Sequence, residues 1–437
     1  VEQVLLMTEA WESEIIVTTF VQLFQTLLGY QNRFLKKLHN LIGAIVILDE
    51  VQALPIEYWP LTANVFRTLC RELGLTVIQM TATKPIIFQT AKELHPDPAT
   101  LFTIQRRTQL HISQKERILE EWIDCVKDLY QQHGSLLIVV NTIGASLRIY
   151  QQLRTQGLAT PYDLKAPQAK EWLIYLSTNI TPRQRRERLD ALKAHLKSGG
   201  RALVVSTQVI EAGVDIDFPA VVRDLGPLDS IIQVAGRCNR EGDLPKGEVY
   251  VLPLQDGGSA RVYGAIHIHV ARQLLEQRSQ LDEPAYAQLV EQYFQEVQQR
   301  ISQQKASELW RAYCRLSYDH FEEPALSEFH LIESPAQVPL FIALTPEDEA
   351  WLLEEFKLHV LEEKDFRYRQ EAYLRYRKRL HDSMIRPLLH RVSQNPPPAL
   401  AESEGLRWIP YGQLKDYYDL ETGFRWLPQE IASAWVA

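Results

Sequence analysis

The chain has 437 residues, 46% hydrophobic and 23% charged, with a formal net charge of -8. That length exceeds one hydrophobic core and implies two or three domains, and the composition is that of an ordinary soluble globular protein. No apolar run reaches the roughly 18 to 20 residues of a membrane span, and no signal peptide opens the chain, so no membrane association is expected and a cytoplasmic location is.

Four scattered cysteines (Cys70, Cys125, Cys238, Cys314) form no C-x-x-C pair, which argues against a zinc site or a disulfide framework. The acidic balance does not exclude a nucleic-acid partner, because positive charge can be confined to one groove. The chain opens at Val1 on a polar-apolar stretch that reads as an internal start.

From Ile15 to Ile87 short apolar runs alternate with amphipathic segments. IIVTT is followed by a helical stretch through Tyr30, then AIVILDE, a helix around Tyr58 to Leu73, and LTVIQMTAT. Strands alternating with helices imply a parallel sheet. The pattern resumes at LLIVVN (Leu136 to Asn141), WLIYLST (Trp172 to Thr178), RALVVST (Arg201 to Thr207) and AVVRDLG (Ala220 to Gly226), a second α/β unit. His95-Pro96-Asp97-Pro98 between the two disfavours a continuing helix and marks a linker. After about Leu254 come polar helices rich in Gln and Glu, and from about Ser317 short strand-like pieces (FHLIES, VPLFIAL) mix with a basic-aromatic helix and a proline-rich loop.

The strongest local signal is Ile45 to Gln52, a buried-strand pattern ending in Asp49-Glu50. Ligands in open α/β sheets sit at the carboxyl ends of strands. An acidic pair there suits nucleotide hydrolysis, with Asp49 holding Mg²⁺ through water and Glu50 orienting or deprotonating the attacking water. The same two acids could equally be a solvated strand end. Thr81 and Thr83, at the end of the next strand, add hydroxyls that could sense a γ-phosphate. In the second unit, Ser206 to Asp217 follows one strand and Gln233 to Arg240 the next. Arg237 and Arg240, three residues apart, are expected on one helical face as candidate arginine fingers, or simply as two surface arginines.

In this order the motifs resemble those of superfamily 2 helicases: D-E-x-x, T-A-T, T-Q-x-x-E-x-G-x-D and Q-x-x-G-R-x-x-R. More narrowly, VTTFVQLFQTL (Val17 to Leu27), LHNLIGAIVILDEVQALP (Leu38 to Pro55), TQVIEAGVDIDFP (Thr207 to Pro219), QVAGRCNREG (Gln233 to Gly242) and the late Tyr418 to Phe424 stretch are similar to the CRISPR-associated helicase-nuclease of type I systems. The resemblance implies tandem RecA-like parallel-sheet domains, the first incomplete. Residues 1–95 would form a partial first domain, 96–255 a second, 256–316 a helical linker and 317–437 a small α+β accessory domain.

It also implies roles. Asp49 and Glu50 would be the Walker B pair, with Mg²⁺ on Asp49 through water and on Glu50. Thr81, Thr83, Gly213 and Asp215 would couple the sites, Asp215 near the ribose or the coupling interface. Gln233, Arg237 and Arg240 would face the γ-phosphate of ATP. Thr18, Thr19, Thr207 and Gln208 would contact a single-stranded DNA backbone, where neutral hydroxyls hold phosphate without reading sequence. The implied partner is the type I surveillance complex, and the implied state is monomeric.

Two departures stand out. Gln52 closes the acidic box where many relatives carry histidine, a change expected only to tune activity. The sequence holds no G-x-x-x-x-G-K-[ST] loop to grip the β and γ phosphates, and of the family's nuclease signature only His381-Asp382, which reads as a solvated surface pair. The segment Phe366 to Arg391 interleaves Arg with Tyr and Phe. It could track single-stranded DNA, or pack its rings inward and solvate its charges. A general superfamily 2 helicase and a catalytically dead DNA- or partner-binding module remain alternatives at this stage.

Overall fold

The computed structural model describes residues 7, 9–81, 87–88, 91–94, 106–163, 169–211, 213–319, 324–331, 335–400 and 405–425. Thr83 lies outside them, and so does the proline-rich linker.

The first unit contributes two parallel strands, β1 (Ile45–Asp49) and β2 (Thr76–Met80), in register from Ile45↔Thr76 to Asp49↔Met80. They are joined by the helix Trp59–Leu73, which carries Pro60 in its first turn, where the missing N–H costs nothing. It buries Trp59, Thr62, Val65, Phe66 and Leu69 at helical spacing and ends at Gly74, whose φ of 68° suits a residue without Cβ. Ile45 and Ile47 are 68% and 58% exposed. A continuous apolar strand is what a parallel sheet covered on both faces produces, so this face of β1 lacks its covering layer among the described residues. The run IIVTT, expected as a strand, pairs with nothing there, and Ile15 and Val17 are exposed.

The second unit is one sheet of eight strands in the order β10-β3-β9-β8-β4-β7-β6-β5. Its members are β3 (Thr108–Ile112), β4 (Leu136–Val139), β5 (Thr160–Pro161), β6 (Glu171–Leu176), β7 (Arg201–Ser206), β8 (Ala220–Arg223), β9 (Gly247–Val251) and β10 (Gln280–Asp282). All neighbours run parallel except β10, which is antiparallel to β3. Strands β4, β7 and β8 lie centrally, and their apolar side chains are fully buried. The alternation of apolar strands and helices read from the sequence is therefore realised as an α/β fold with a large, mostly parallel sheet. Strand β10 comes from the stretch read as all helical; three residues with polar ends carry no strand periodicity.

The helices after the sheet bind both units together. In the helix Tyr286–Arg300, Phe294 packs edge-on against Trp59 at 5.1 Å, while the Tyr286 hydroxyl lies 3.2 Å from Thr108 Oγ1. Beyond them β11 (Leu340–Ile342) sits between β12 (Met384–Ile385) and β13 (Arg407–Ile409), over two small apolar clusters. The hairpin of β14 (Tyr418–Asp419) and β15 (Gly423–Phe424) docks on the second unit. There the Tyr418 hydroxyl accepts the Thr181 amide at 3.1 Å, and Asn179 Nδ2 donates to the carbonyls of Thr422 and Phe424 at 2.7 and 3.0 Å.

Candidate functional site

Strand β1 delivers Asp49 and Glu50, both exposed, to its carboxyl end. Glu50 turns the chain through the left-handed region (φ 53°, ψ 44°), a conformation that a non-glycine residue adopts at a cost. Its carboxylate accepts a hydrogen bond from Gln52 Nε2, and Gln52 Oε1 accepts one from the Thr81 hydroxyl at the end of β2. Buried Gln52 thus links the acidic pair to the next strand's terminus. Its amide does this by offering both a donor and an acceptor.

In the second unit the loops after β4, β7 and β8 gather at the same carboxyl edge of the sheet. After β7, Thr207 is buried and Gln208 starts a turn through Ile210; Gln208 Nε2 donates inward, to the Asn141 carbonyl at 2.8 Å and the Tyr263 hydroxyl at 2.9 Å. Gly213 takes a φ of 68° that its lack of Cβ permits. Asp215 is exposed, 3.2 Å from Arg240 Nε and 3.6 Å from Lys193 Nζ.

Gln233 is half-buried on the helix Leu228–Ala235. That helix ends at Ala235, so Arg237 and Arg240 do not share a helical face. Cys238 pairs with Phe218 in a parallel bridge, Asn239 reverses the chain at φ 46°, and the Arg240 amide donates to Asp217 at 2.7 Å. Each arginine is held separately instead. Arg237 donates from Nε to the Ile210 carbonyl (3.1 Å) and from Nη2 to that of Glu211 (2.7 Å), while Arg240 lies open on Asp215.

Burial holds the Arg237 guanidinium below the usual arginine range. Arg240 adds to this, and Asp215, Glu50 and Glu211 oppose it. The charge of Glu50 in the first unit thus reaches Arg237 in the second. Thr18 is exposed, and Thr19 caps the helix Phe20–Leu28 by accepting the Gln22 amide at 3.2 Å.

Among the described residues no group of three or more His, Cys, Asp and Glu could cage a metal. Mg²⁺ needs only one or two carboxylates when phosphate oxygens and water complete its shell, so Asp49 with Glu50 fits it. Asp382 is held by Arg186, through Nη1 at 3.1 Å and Nη2 at 2.8 Å. On the helix Phe366–Asp382, Tyr376 packs against Trp351 at 5.7 Å, whereas Phe366, Tyr368 and Tyr373 are exposed. The helix therefore packs one ring inward and leaves three exposed. Sequence reasoning missed Arg223, a fully buried arginine at the end of β8, although a guanidinium inside the apolar run AVVR was the available signal.

Residues 132–243 match the family described as CRISPR-associated nuclease/helicase Cas3, C-terminal. A CRISPR-associated nuclease/helicase Cas3 of Haloferax volcanii is 29% identical over 57% of this chain and 35% of its own length. A CRISPR-associated helicase Cas3 of Thermoproteus tenax is 26% identical, covering 48% and 34%. The chain thus spans about a third of the length of these curated relatives. In fold it is similar to the T. fusca Cas3-AMPPNP structure (TM-score 0.61, 17% identity, 90% of this chain and 53% of that one). It is similar also to a chain of a CRISPR RNA-guided surveillance complex, pre-nicking (TM-score 0.61, 17% identity, 92% and 58%). These matches support a likeness to the helicase portion of Cas3 proteins, with the tandem RecA-like fold. No helix of the described residues is long and apolar enough to cross a membrane.

Proposed function

We propose that these residues form the ATP-hydrolysing cleft of a single-stranded DNA translocase of type I CRISPR interference. The observation that supports this is that Glu50, tied through Gln52 to Thr81, lies near enough for its charge to oppose the burial-driven lowering of the Arg237 pKa in the other unit. Asp49 and Glu50 would hold Mg²⁺, which neutralises charge on the β and γ phosphates when bound. Glu50, steadied by Gln52, takes a proton from the attacking water. Arg237 and Arg240 place guanidinium donors on the phosphoryl group in flight, where planar N–H groups stabilise developing negative charge. Gln233 lines the same wall. Asp215 holds Arg240 until substrate competes for it, and Gly213 lets the loop between them turn.

Thr18, Thr19, Thr207 and Gln208 contact the DNA backbone, and Thr81 with Thr83 relays the nucleotide state to them. The sequence has no G-x-x-x-x-G-K-[ST] loop, so these residues alone would bind ATP poorly, and the phosphate grip would come from polypeptide outside them. The setting is cytoplasmic, with a monomer acting on a strand presented by a type I surveillance complex. A solved chain of similar fold belongs to a CRISPR RNA-guided surveillance complex.

The test compares activators of phosphate release in the full-length protein. Single-stranded DNA is expected to stimulate hydrolysis well above duplex DNA or single-stranded RNA. Equal stimulation by RNA would contradict the DNA assignment, and no stimulation by any nucleic acid would contradict the translocase.

A further inference from the structure

The fully buried Arg223 at the end of β8 belongs to no motif, yet both of its terminal nitrogens are hydrogen-bonded. Its Nη1 donates to Asn141 Oδ1 at 2.6 Å and to the Asp224 carbonyl at 3.3 Å. Its Nη2 reaches Ser230 Oγ at 2.8 Å, the Tyr263 hydroxyl at 3.0 Å and Glu211 Oε1 at 3.2 Å. Ser230 Oγ donates to the same Glu211 oxygen at 2.8 Å. A buried guanidinium is expensive, and well-packed apolar residues usually fill such a site at least as stably. Its geometry is therefore informative.

Both ends of the short turn after β7 are tied to this centre. Gln208 is held by the Tyr263 hydroxyl and the Asn141 carbonyl, and Glu211 by Arg223 and Ser230. The outer side of the same turn offers the carbonyls of Ile210 and Glu211 to Arg237. A rigid four-residue segment thus carries a nucleic-acid contact at one end and the seat of an arginine finger at the other. The hydroxyl of Tyr263, on the helix Ser259–Tyr263, joins Gln208 to Arg223 directly.

We propose that Arg223 and Tyr263 are positioning residues that lock the Gln208–Glu211 turn as one body, so that a strand engaging Gln208 resets Arg237. The inference rests on the functional reading above. A displacement at Gln208 is passed through Tyr263 to Arg223, from Arg223 to the Glu211 carboxylate, and from the Glu211 carbonyl to Arg237. Without the lock, the strand still binds, but binding no longer changes the finger.

The experiment uses the full-length protein and two conservative variants, Tyr263→Phe and Ser230→Ala, with Arg223→Lys as a third. Four quantities are read for each: phosphate release without DNA, release with saturating oligo-dT, the KM for ATP, and the Kd of labelled oligo-dT by anisotropy. Tyr263→Phe and Ser230→Ala should lower the ratio of stimulated to unstimulated rate by about threefold to tenfold, the range of modest coupling losses. The unstimulated rate, the KM for ATP and the Kd should stay within about twofold. Arg223→Lys keeps a charge but not the fork, and should lose the ratio further.

A stimulation ratio unchanged in both Tyr263→Phe and Ser230→Ala overturns the inference, whatever becomes of Arg223→Lys. Equal falls in stimulated and unstimulated rates overturn it too, because they mark plain structural damage. If the unaltered protein shows no stimulation by DNA, the functional reading fails before the variants are reached, and the two failures are thereby distinct.

Discussion

Asp348 takes both terminal nitrogens of Arg183, Oδ1 from Nη1 at 3.0 Å and Oδ2 from Nη2 at 2.6 Å, while its own side chain is only 3% exposed. Two further arginines of the helix Pro182–Lys197 reach the same accessory region: Arg186 holds Asp382, and Arg188 donates to the carbonyl of Glu421 at 2.7 Å. The arginine-rich helix Pro182–Lys197 thus serves as a latch between the second sheet and the accessory region.

Breaking that latch should loosen the accessory domain. Removing one partner of a largely buried pair leaves the other uncompensated, so Asp348→Asn is expected to cost about 2 kcal/mol or more in urea unfolding. It should also expose the accessory region to limited proteolysis. Burial alone would raise the Asp348 pKa, but Arg183 outweighs it and holds the carboxyl below its usual range. A depressed acid contributes stability that is fully present above its unfolded value, near pH 4, and lost as pH falls through the lower folded value. The gap between parent and Asp348→Asn should therefore be constant above about pH 5 and close at lower pH. A gap that widens on acidification would contradict the latch.

Gly423 makes a second, local prediction. Its φ is +92°, and an added Cβ would lie 2.1 Å from the Asn179 carbonyl oxygen, a backbone atom that cannot swing away. Gly423→Ala should undock the hairpin that Tyr418 and Asn179 hold, at a cost of about 2 kcal/mol or more from strain and clash together. Amide exchange should then quicken around Thr181, whose N–H donates to Tyr418. Unchanged protection at Thr181 would show that the hairpin tolerates the methyl group.

Asp224 should leave a pH signature of opposite sign. Burial pushes its carboxyl up to about 6, although the Leu254 amide, the Arg223 charge, the Leu225 amide and Asn141 all favour the ionised form. A folded pKa above the unfolded value means that the native state holds the proton more tightly. The contribution to stability is then greatest below about pH 4 and falls as pH rises to about 6. Asp224→Asn abolishes this titration, so its stability relative to the parent should rise by up to about 3 kcal/mol between those limits. Urea midpoints across that range check the sign, and a relative stability that falls with pH would contradict it.

The parts of the fold that were legible in the sequence are those where burial imposes a pattern. Strands β4, β7 and β8 are covered on both faces, so their apolar runs stand out, and Thr207 follows from where one such run ends. What stayed hidden depends on tertiary contacts. Arg237 and Arg240 look like one helical face by spacing, yet Asn239 and the Phe218–Cys238 bridge send them apart. Nothing in the spacing around Gln208 announces that its amide donates inward to Asn141 and Tyr263. Strand β10 is too short to show a period, and the partner of Asp382 lies 196 positions away in Arg186.

The most direct test of the account is phosphate release from ATP by the full-length protein on saturating single-stranded DNA, comparing the parent with Glu50→Gln and Arg237→Ala. Loss of the group that activates water, or of one finger, should lower kcat by at least about a hundredfold with a much smaller change in KM, because both act mainly in the transition state. Parent-like turnover in Glu50→Gln would contradict the central claim that the end of β1 and the loop holding Arg237 are two walls of one hydrolytic cleft.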